Sequence, residues 1–241
     1  MLSTVRRVAA ELRCDLAAVR EASVLVIGVG GLGSPVAMHL AGAGVGRLGI
    51  VDSDAVEISN LHRQHLHFTP DLGVAKAGSA AAKLRFLNPE IVVEDYYARI
   101  DADNAGGMVE GQDLVVDCSD SFATRYAVNA ACCAAGVPLV EGGVVGLSGL
   151  VMAIRPGESA CYRCAFPLEP ADAPSCAEAG VLGPAAGVIG SLQALEALKL
   201  LTGVGRPLLD AFLQLDLGAM DILRVGVRRR PDCPDCGVRT L

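Results

Sequence analysis

The segment from Ser23 to Val51 limits the fold more than any other. It runs Ser23–Ile27 (SVLVI), then Gly28-Val-Gly-Gly-Leu-Gly33, then a small-residue stretch Ser34–Ala43, then a second apolar run ending in Leu48–Val51. A β-branched run, a glycine turn, a helix-forming stretch and another apolar run make a βαβ unit. Gly28, Gly30 and Gly33 keep the Gly-x-Gly-x-x-Gly spacing of a dinucleotide fold, with Gly31 inside it. Such glycines permit a tight turn and close backbone approach, and the helix that follows offers unpaired N–H groups to an anion. Asp52 lies about twenty residues past the loop, where an acid can accept ribose hydroxyl hydrogen bonds. Capping a turn is the other use for such a residue. The pattern alone also serves nicotinamide and flavin enzymes, and some such loops bind nothing.

The chain has 241 residues, which suits one α/β domain. Ala, Val and Leu dominate, aromatics are only 4 %, and Trp is absent. That composition favours parallel strands packed by small-residue helices. The expected architecture is a Rossmann-like, doubly wound, mostly parallel sheet whose C-terminal part turns antiparallel. Within this single domain we expect an N-terminal helical segment (1–21), a nucleotide-binding half (22–145) and a metal-bearing half (146–241). A formal net charge of −7 argues against a general nucleic-acid binder. Arg228–Arg230, the one basic run, reads as a solvated strand end. No secretory signal or membrane span is visible, so a soluble cytoplasmic protein is expected. Nine cysteines in a reducing compartment favour metal or redox chemistry over structural disulfides.

Helices are expected over Val5–Glu21, Leu72–Leu87, Asn104–Glu110, Arg125–Ala135 and Ala185–Leu201, and strands over Ile91–Arg99, Leu114–Asp117, Val137–Val140, Val144–Gly146 and Gly149–Ile154. Between them, Val51–Gln64 (VDSDAVEISNLHRQ) ends in Ser59, Asn60, Arg63 and Gln64. Amide, guanidinium and hydroxyl groups make a poor core but suit a phosphate chain. Lys76 falls in the first turn of a helix, where the dipole favours anions. A nearby phosphate would resolve that conflict, and so would exposure to solvent. Asp117 and Asp120 follow a parallel strand, on the ligand side of such a sheet. Asp117 is read as a turn hydrogen bond and Asp120 as a magnesium ligand.

Two pairs, Cys161-Tyr-Arg-Cys164 and Cys233-Pro-Asp-Cys236, can supply a closed tetrahedral thiolate site for structural zinc. Cys176, in a polar Pro/Asp/Ser/Ala stretch, is either a nucleophile or an incidental exposed thiol. Cys14, Cys118, Cys132 and Cys133 are read as packed thiols, and His62, His65 and His67 as polar loop groups.

Taken together, these residues resemble the ThiF/MoeB-type enzymes of the ubiquitin-activating superfamily. The matching pieces are GVGGLGS (Gly28–Ser34), VDSDAVEISNLHRQ, DLGVAK (Asp71–Lys76), VVDCSD (Val115–Asp120), CYRC, SCAEAGVLGP (Ser175–Pro184), GSLQALEALKLL (Gly190–Leu201) and CPDC. The resemblance implies adenylation of the C-terminal glycine carboxylate of a small ubiquitin-like sulfur carrier ending in Gly-Gly, with magnesium ATP. It implies that Gly28, Gly30, Gly31, Gly33 and Asp52 hold the adenosine end. Ser59, Asn60, Arg63 and Lys76 would meet the phosphates, and Asp120 and Ser121 the metal-bound nucleotide. It further implies zinc on the paired cysteines, a homodimer, and Cys176 as a covalent handle on the carrier. Such enzymes usually open with an Arg-Tyr-x-Arg-Gln segment whose second arginine enters the neighbouring subunit's site. Met1–Arg13 holds Arg6, Arg7 and Arg13 but no such motif. No sulfurtransferase domain follows Cys236, so sulfur is expected from a separate sulfurtransferase or cysteine desulfurase.

Three other readings compete. A nicotinamide oxidoreductase explains the glycine loop and Asp52 but not Asn60, Arg63 or Lys76. A zinc-stabilised scaffold explains only the cysteines. An enzyme adenylating a peptide or a tRNA-linked acid would use the same residues on another substrate.

Overall fold

The computed structural model describes residues 15–169 and 180–237. One sheet of eight strands organises it: β1 (Ser23–Ile27), β2 (Arg47–Val51), β3 (Val92–Tyr96), β4 (Leu114–Asp117), β5 (Leu139–Val145), β6 (Ser148–Ile154), β7 (Ala211–Asp216) and β8 (Asp221–Gly226). Their order is β3-β2-β1-β4-β5-β6-β7-β8. Pairs from β3 through β5 are parallel; β5 to β8 pair antiparallel. The expected mostly parallel sheet with an antiparallel C-terminal part is what forms.

Helices cover both faces, which is why β1 is apolar at every buried position instead of alternating. Val24 and Val26 face a core built with α2 (Gly33–Ala43), α3 (Lys76–Leu87) and α7 (Gly183–Thr202). Leu25 and Ile27 face a second core with α4 (Ala105–Val109), α5 (Phe122–Ala135) and α6 (Tyr162–Ala165). Alanines on α2, α3 and α7 let these helices lie close on the sheet. By length and composition, α7 alone among the described helices could cross a membrane. Its Ala185, Ala186, Ile189 and Ala197 are instead built into the first core.

Element boundaries follow capping chemistry. Asp15 accepts from the N–H groups of Ala17 and Ala18, so α1 (Leu16–Glu21) starts there. The rest of the helix expected over Val5–Glu21 lies outside the described residues. The helix expected from Leu72 begins at Lys76 instead. Residues 72–75 lie against Ala55–Val56, with Val56 donating to Val74 O at 2.8 Å and Gly73 to Val56 O at 2.9 Å. The three strand pieces expected between Val137 and Ile154 are two seven-residue strands joined at Gly146–Leu147. Gly142 and Gly143, which read as interruptions, lie inside β5. There a Cβ would strike the Gln193 amide or the Arg125 guanidinium. They mark close approach of side chains, not turns.

Candidate active site

The strand order reverses between β1 and β4, and ligands of open α/β sheets bind at such a point. A cavity of about 350 Å³ opens there, large enough for a small molecule. Gly28, Gly30, Gly31, Asp52, Asp54, Arg63, Gln64 and Lys76 line one wall, and Arg99, Ser119, Asp120, Ser121 and Arg125 the other.

The glycine loop is shaped by contact. Gly28 has φ +81°, and a Cβ there would lie 3.0 Å from Cys118 O. A Cβ on Gly33 would run into the Gly28 carbonyl, so α2 can pack directly on the loop only with glycine at that position. Asp52 accepts from Val29 N–H at 2.8 Å and from Asp54 N–H at 2.9 Å. It ties the loop to the end of β2 while still facing the cavity. Burial raises its pKa, against the pull of those two N–H groups.

Lys76 opens α3 with only 5 % of its surface exposed, which excludes a solvent-facing lysine. Its ammonium pairs with Asp54 Oδ2 at 2.8 Å, a partner the sequence did not suggest. Arg63 donates to Asn60 Oδ1 and to Ser59 O, both at 3.1 Å. Gln64 donates to the same Asn60 oxygen at 3.1 Å. Asn60 and Ser59 are thus behind Arg63 and do not line the cavity; the Ser59 hydroxyl turns to Glu57 at 3.2 Å. On the facing wall, Asp117 Oδ1 accepts from Ser119 N–H at 2.8 Å, the expected turn hydrogen bond. Ser121 caps α5 through Thr124 N–H at 3.4 Å. Asp120 projects from that turn into the cavity lining. Cys176, Cys14, Arg6, Arg7 and Arg13 lie outside the described residues.

Several working residues were not singled out from sequence. Arg125 lies at the cavity floor, donates to Ser119 O at 2.7 Å and faces the buried Glu141. Arg99 also lines the cavity. His67 corrects an expectation, because it is a core residue and not a loop polar group. It is 3 % exposed, with Nδ1 2.9 Å from Ser79 Oγ and Nε2 3.0 Å from Val29 O. Burial lowers its pKa, so the ring is neutral. A neutral ring next to a carbonyl donates from Nε2, and Nδ1 then accepts from Ser79. His62 and His65 are exposed as expected. Cys118 and Cys132 are packed thiols whose pKa values burial pushes up.

The four paired cysteines form a second constellation, in the other core. Their sulfurs all lie within 4.8 Å of one another and all four residues are buried. Cys161 Sγ is 3.9 Å from Cys164 Sγ and 3.6 Å from Cys233 Sγ, and Cys164 Sγ is 3.4 Å from Cys236 Sγ. Metal–sulfur bonds of about 2.3 Å in a tetrahedron put sulfurs about 3.8 Å apart, so the donor set fits a four-thiolate metal site. Asn129 binds both sides of it, accepting from Tyr162 N–H at 2.9 Å and donating to Asp235 at 2.7 Å. The Arg228–Arg230 run follows β8 with Arg228 and Arg229 exposed, as expected of a solvated strand end, but it also makes specific contacts. Arg229 donates to Cys236 O and Gly157 O, both at 2.6 Å, and Arg230 N–H lies 3.3 Å from Cys164 Sγ. Their donors close the cysteine loop.

Comparison with known proteins agrees with this geometry. E. coli MccB, in a crystal structure with ATP, superposes with a TM-score of 0.81 at 26 % identity, over 92 % of this chain and 68 % of that one. A sulfur carrier protein adenylyltransferase of Thermus thermophilus is 48 % identical over 225 residues, 90 % of this chain and 83 % of the relative. The SAMP-activating enzyme E1 of Haloferax volcanii is 47 % identical over 216 residues, 89 % and 80 % of the two chains. The adenylyltransferase and sulfurtransferase MOCS3 of Sus scrofa is 47 % identical over 221 residues, but this chain covers only 49 % of that longer protein. The ThiF family matches residues 6–235, and the chain belongs to that family.

Proposed function

We propose that the protein adenylates the C-terminal Gly-Gly carboxylate of a small ubiquitin-like sulfur carrier, using ATP and releasing pyrophosphate. Relatives named for that activity and nearly half identical to this chain support it. The observation that carries the reading is the meeting of a glycine loop, Arg63, Lys76 and Asp120 around one crevice. In this reading Asp52 takes the ribose, while Arg63 and Lys76 take phosphate charge. Asn60, with Ser59, holds Arg63 in place.

The chemistry asks little covalent work of the protein. The carrier's carboxylate attacks the α-phosphorus, and the new anhydride forms as pyrophosphate leaves. Catalysis is then positioning, with fixed cations facing the growing charge on the phosphoryl oxygens. Asp120 is the carboxylate in the crevice suited to Mg²⁺, a hard cation that would neutralise phosphate charge. Zinc is the metal we assign to the four thiolates; with all positions filled by protein it is structural. Cys176 is read as the thiol for later sulfur transfer, with sulfur from a sulfurtransferase or cysteine desulfurase. The active species is read as a homodimer. The carrier is assigned to molybdopterin- or thiamine-type sulfur delivery. A nicotinamide oxidoreductase would leave Arg63 and Lys76 without a purpose.

The test is ATP–pyrophosphate exchange with and without a carrier ending in Gly-Gly. Exchange should require the carrier. Arg63→Ala should cost about 3 kcal/mol of transition-state stabilisation, on the order of a hundredfold in rate. Asp120→Ala should reduce turnover similarly, while Asp52→Ala should act mainly on nucleotide affinity. Wild-type exchange rates in both Arg63→Ala and Asp120→Ala would put the site elsewhere.

A further inference from the structure

Beneath the crevice lie two carboxyl groups that the adenylation chemistry does not use. Asp117 ends β4 and Glu141 lies opposite it on β5. Both are 0 % exposed. A single guanidinium faces them: Arg125 Nη1 is 3.8 Å from Glu141 Oε2, beyond hydrogen-bond distance. Asp117 Oδ1 has the Ser119 N–H at 2.8 Å. Among the described residues, Asp117 Oδ2 and both Glu141 oxygens receive no hydrogen bond. Each other group packed on the pair brings no charge. Tyr162 from α6, and Cys118 and Cys132, hold their protons because burial raises their pKa values. Gln193 from α7 gives its N–H to the Asp117 backbone carbonyl at 2.7 Å, not to a carboxylate.

Two buried carboxylates in contact, with one cation between them, cannot both stay ionised: each repels the other, and an unpaired buried charge is very costly. The Ser119 hydroxyl is a neutral donor beside Asp117; a proton held between the two carboxyls supplies the donor that the pair still lacks. We propose that Asp117 and Glu141 share one proton at neutral pH, and that this carboxyl–carboxylate pair is the positioning group for Arg125 and the Asp120 turn. One proton is held between the two carboxyls, and the single remaining negative charge faces Arg125, whose Nη1 lies 3.8 Å from Glu141 Oε2. The three groups then sum to zero charge. Burial and the neighbouring Asp117 push the Glu141 pKa up, and burial raises that of Asp117 as well, in agreement with one proton held by the pair. Asp117 Oδ1 and Arg125 Nη2 hold the N–H and the C=O of Ser119, the residue before Asp120. The pair therefore fixes the turn that aims Asp120. Loss of the proton would place a further negative charge under a crevice that must gather a triphosphate and a carboxylate. The shared proton stands on the strand register, burial and unpaired oxygens of the two carboxyls; its effect on turnover rests on the adenylation reading.

The sign of the linkage is fixed. The folded state keeps a proton that an ordinary glutamate releases above about pH 4.3, so stability falls as pH rises toward the folded pKa. Glu141→Gln carries the proton's hydrogen-bonding role at every pH and removes that dependence. Relative to Glu141→Gln, the wild-type folding constant should fall by up to about tenfold per pH unit between about pH 5 and 8. Infrared spectra of ¹³C-glutamate-labelled wild type at neutral pH should show a carboxylic-acid carbonyl band, absent from Glu141→Gln. In pyrophosphate exchange, wild type should lose rate at alkaline pH where Glu141→Gln does not. If Glu141→Gln does not fold, Asp117→Asn replaces it: Glu141 can then ionise opposite Arg125, and the slope should vanish too. No acid band in wild type, or a wild-type-minus-variant difference flat in pH, overturns the shared proton. Exchange absent from wild type while its acid band and slope are present overturns the adenylation reading and leaves the proton in place.

Discussion

His67 shows how much a single side chain can hold. Its ring joins Val29 in the glycine loop to Ser79 on α3, the helix that Lys76 opens. Ser79 in turn meets Lys83 at 2.8 Å, and Lys83 pairs with Asp71 at 2.6 Å. His67→Phe keeps an aromatic ring but removes the shorter of two donors to Val29 O, leaving Ser34 Oγ at 3.4 Å. It also removes the acceptor of the Ser79 hydroxyl, and the two losses should cost about 1–3 kcal/mol at pH 7.5. The pH dependence has a definite sign. Burial lowers the folded pKa, with Lys83 and Lys76 acting the same way and Asp52 opposing. As pH falls below about 6.5 the unfolded chain takes up the proton first, so this contribution is present at higher pH and lost on acidification. The wild-type advantage over His67→Phe, read from denaturant midpoints, should shrink between about pH 7 and 5. At this scale the sequence was legible where chemistry is local. A glycine loop, or an arginine in NLHRQ, announces itself by its neighbours. His67, Arg125 and Glu141 do not, because what matters about each is a partner from 12 to 38 residues away in the chain, or a burial that only the finished sheet imposes.

Among the elements, β5 and α4 make opposite predictions from the same residue type. A Cβ on Gly142, inside β5, would overlap the Gln193 amide, which is held to the Asp117 carbonyl. Gly142→Ala should therefore destabilise by about 1–3 kcal/mol through overpacking. Gly107, in the middle of α4, has open space where a methyl group would sit, with no atom within 4 Å, and an ordinary helical backbone. Gly107→Ala should stabilise by about 0.4–1 kcal/mol, chiefly by restricting the unfolded chain. In a domain of this size each kcal/mol moves Tm by about 2–4 °C, so calorimetry can separate the two signs. Glycine was misread in β5 for a physical reason. Sequence pattern treats glycine as a break, whereas here it leaves room for side chains arriving from α5 and α7. Helix ends were read more reliably than helix starts: those expected at Leu87 and Ala135 are where α3 and α5 stop.

For the whole molecule, the cysteine cluster joins segments that sequence separates widely. Cys161 and Cys164 lie around the start of α6, and Cys233 and Cys236 on the turn following β8. The β7–β8 hairpin is thereby tied at its C-terminal end, where Arg229 also reaches back to Gly157, while Asp210 at its start accepts from Ala160 N–H at 2.8 Å. The second core includes all four cysteines, together with Tyr126 and Cys132 of α5 and Met152 and Ile154 of β6. Four thiols at this spacing repel once ionised, and without a cation they fill a buried position poorly. Metal binding free energy should thus be part of the folding free energy. Freshly purified, reduced protein should carry about one zinc per chain by elemental analysis. Chelation should lower Tm and expose tryptic sites in the segment after β8 before those in β1–β4. Cys233→Ala should destabilise far more than it alters ATP affinity in the fraction that stays folded, since the crevice is built from β1, β2 and β4 and shares no lining residue with the cluster. Less than half an equivalent of zinc, or a chelated protein with unchanged Tm, would mean that the thiols hold the chain's end by packing alone.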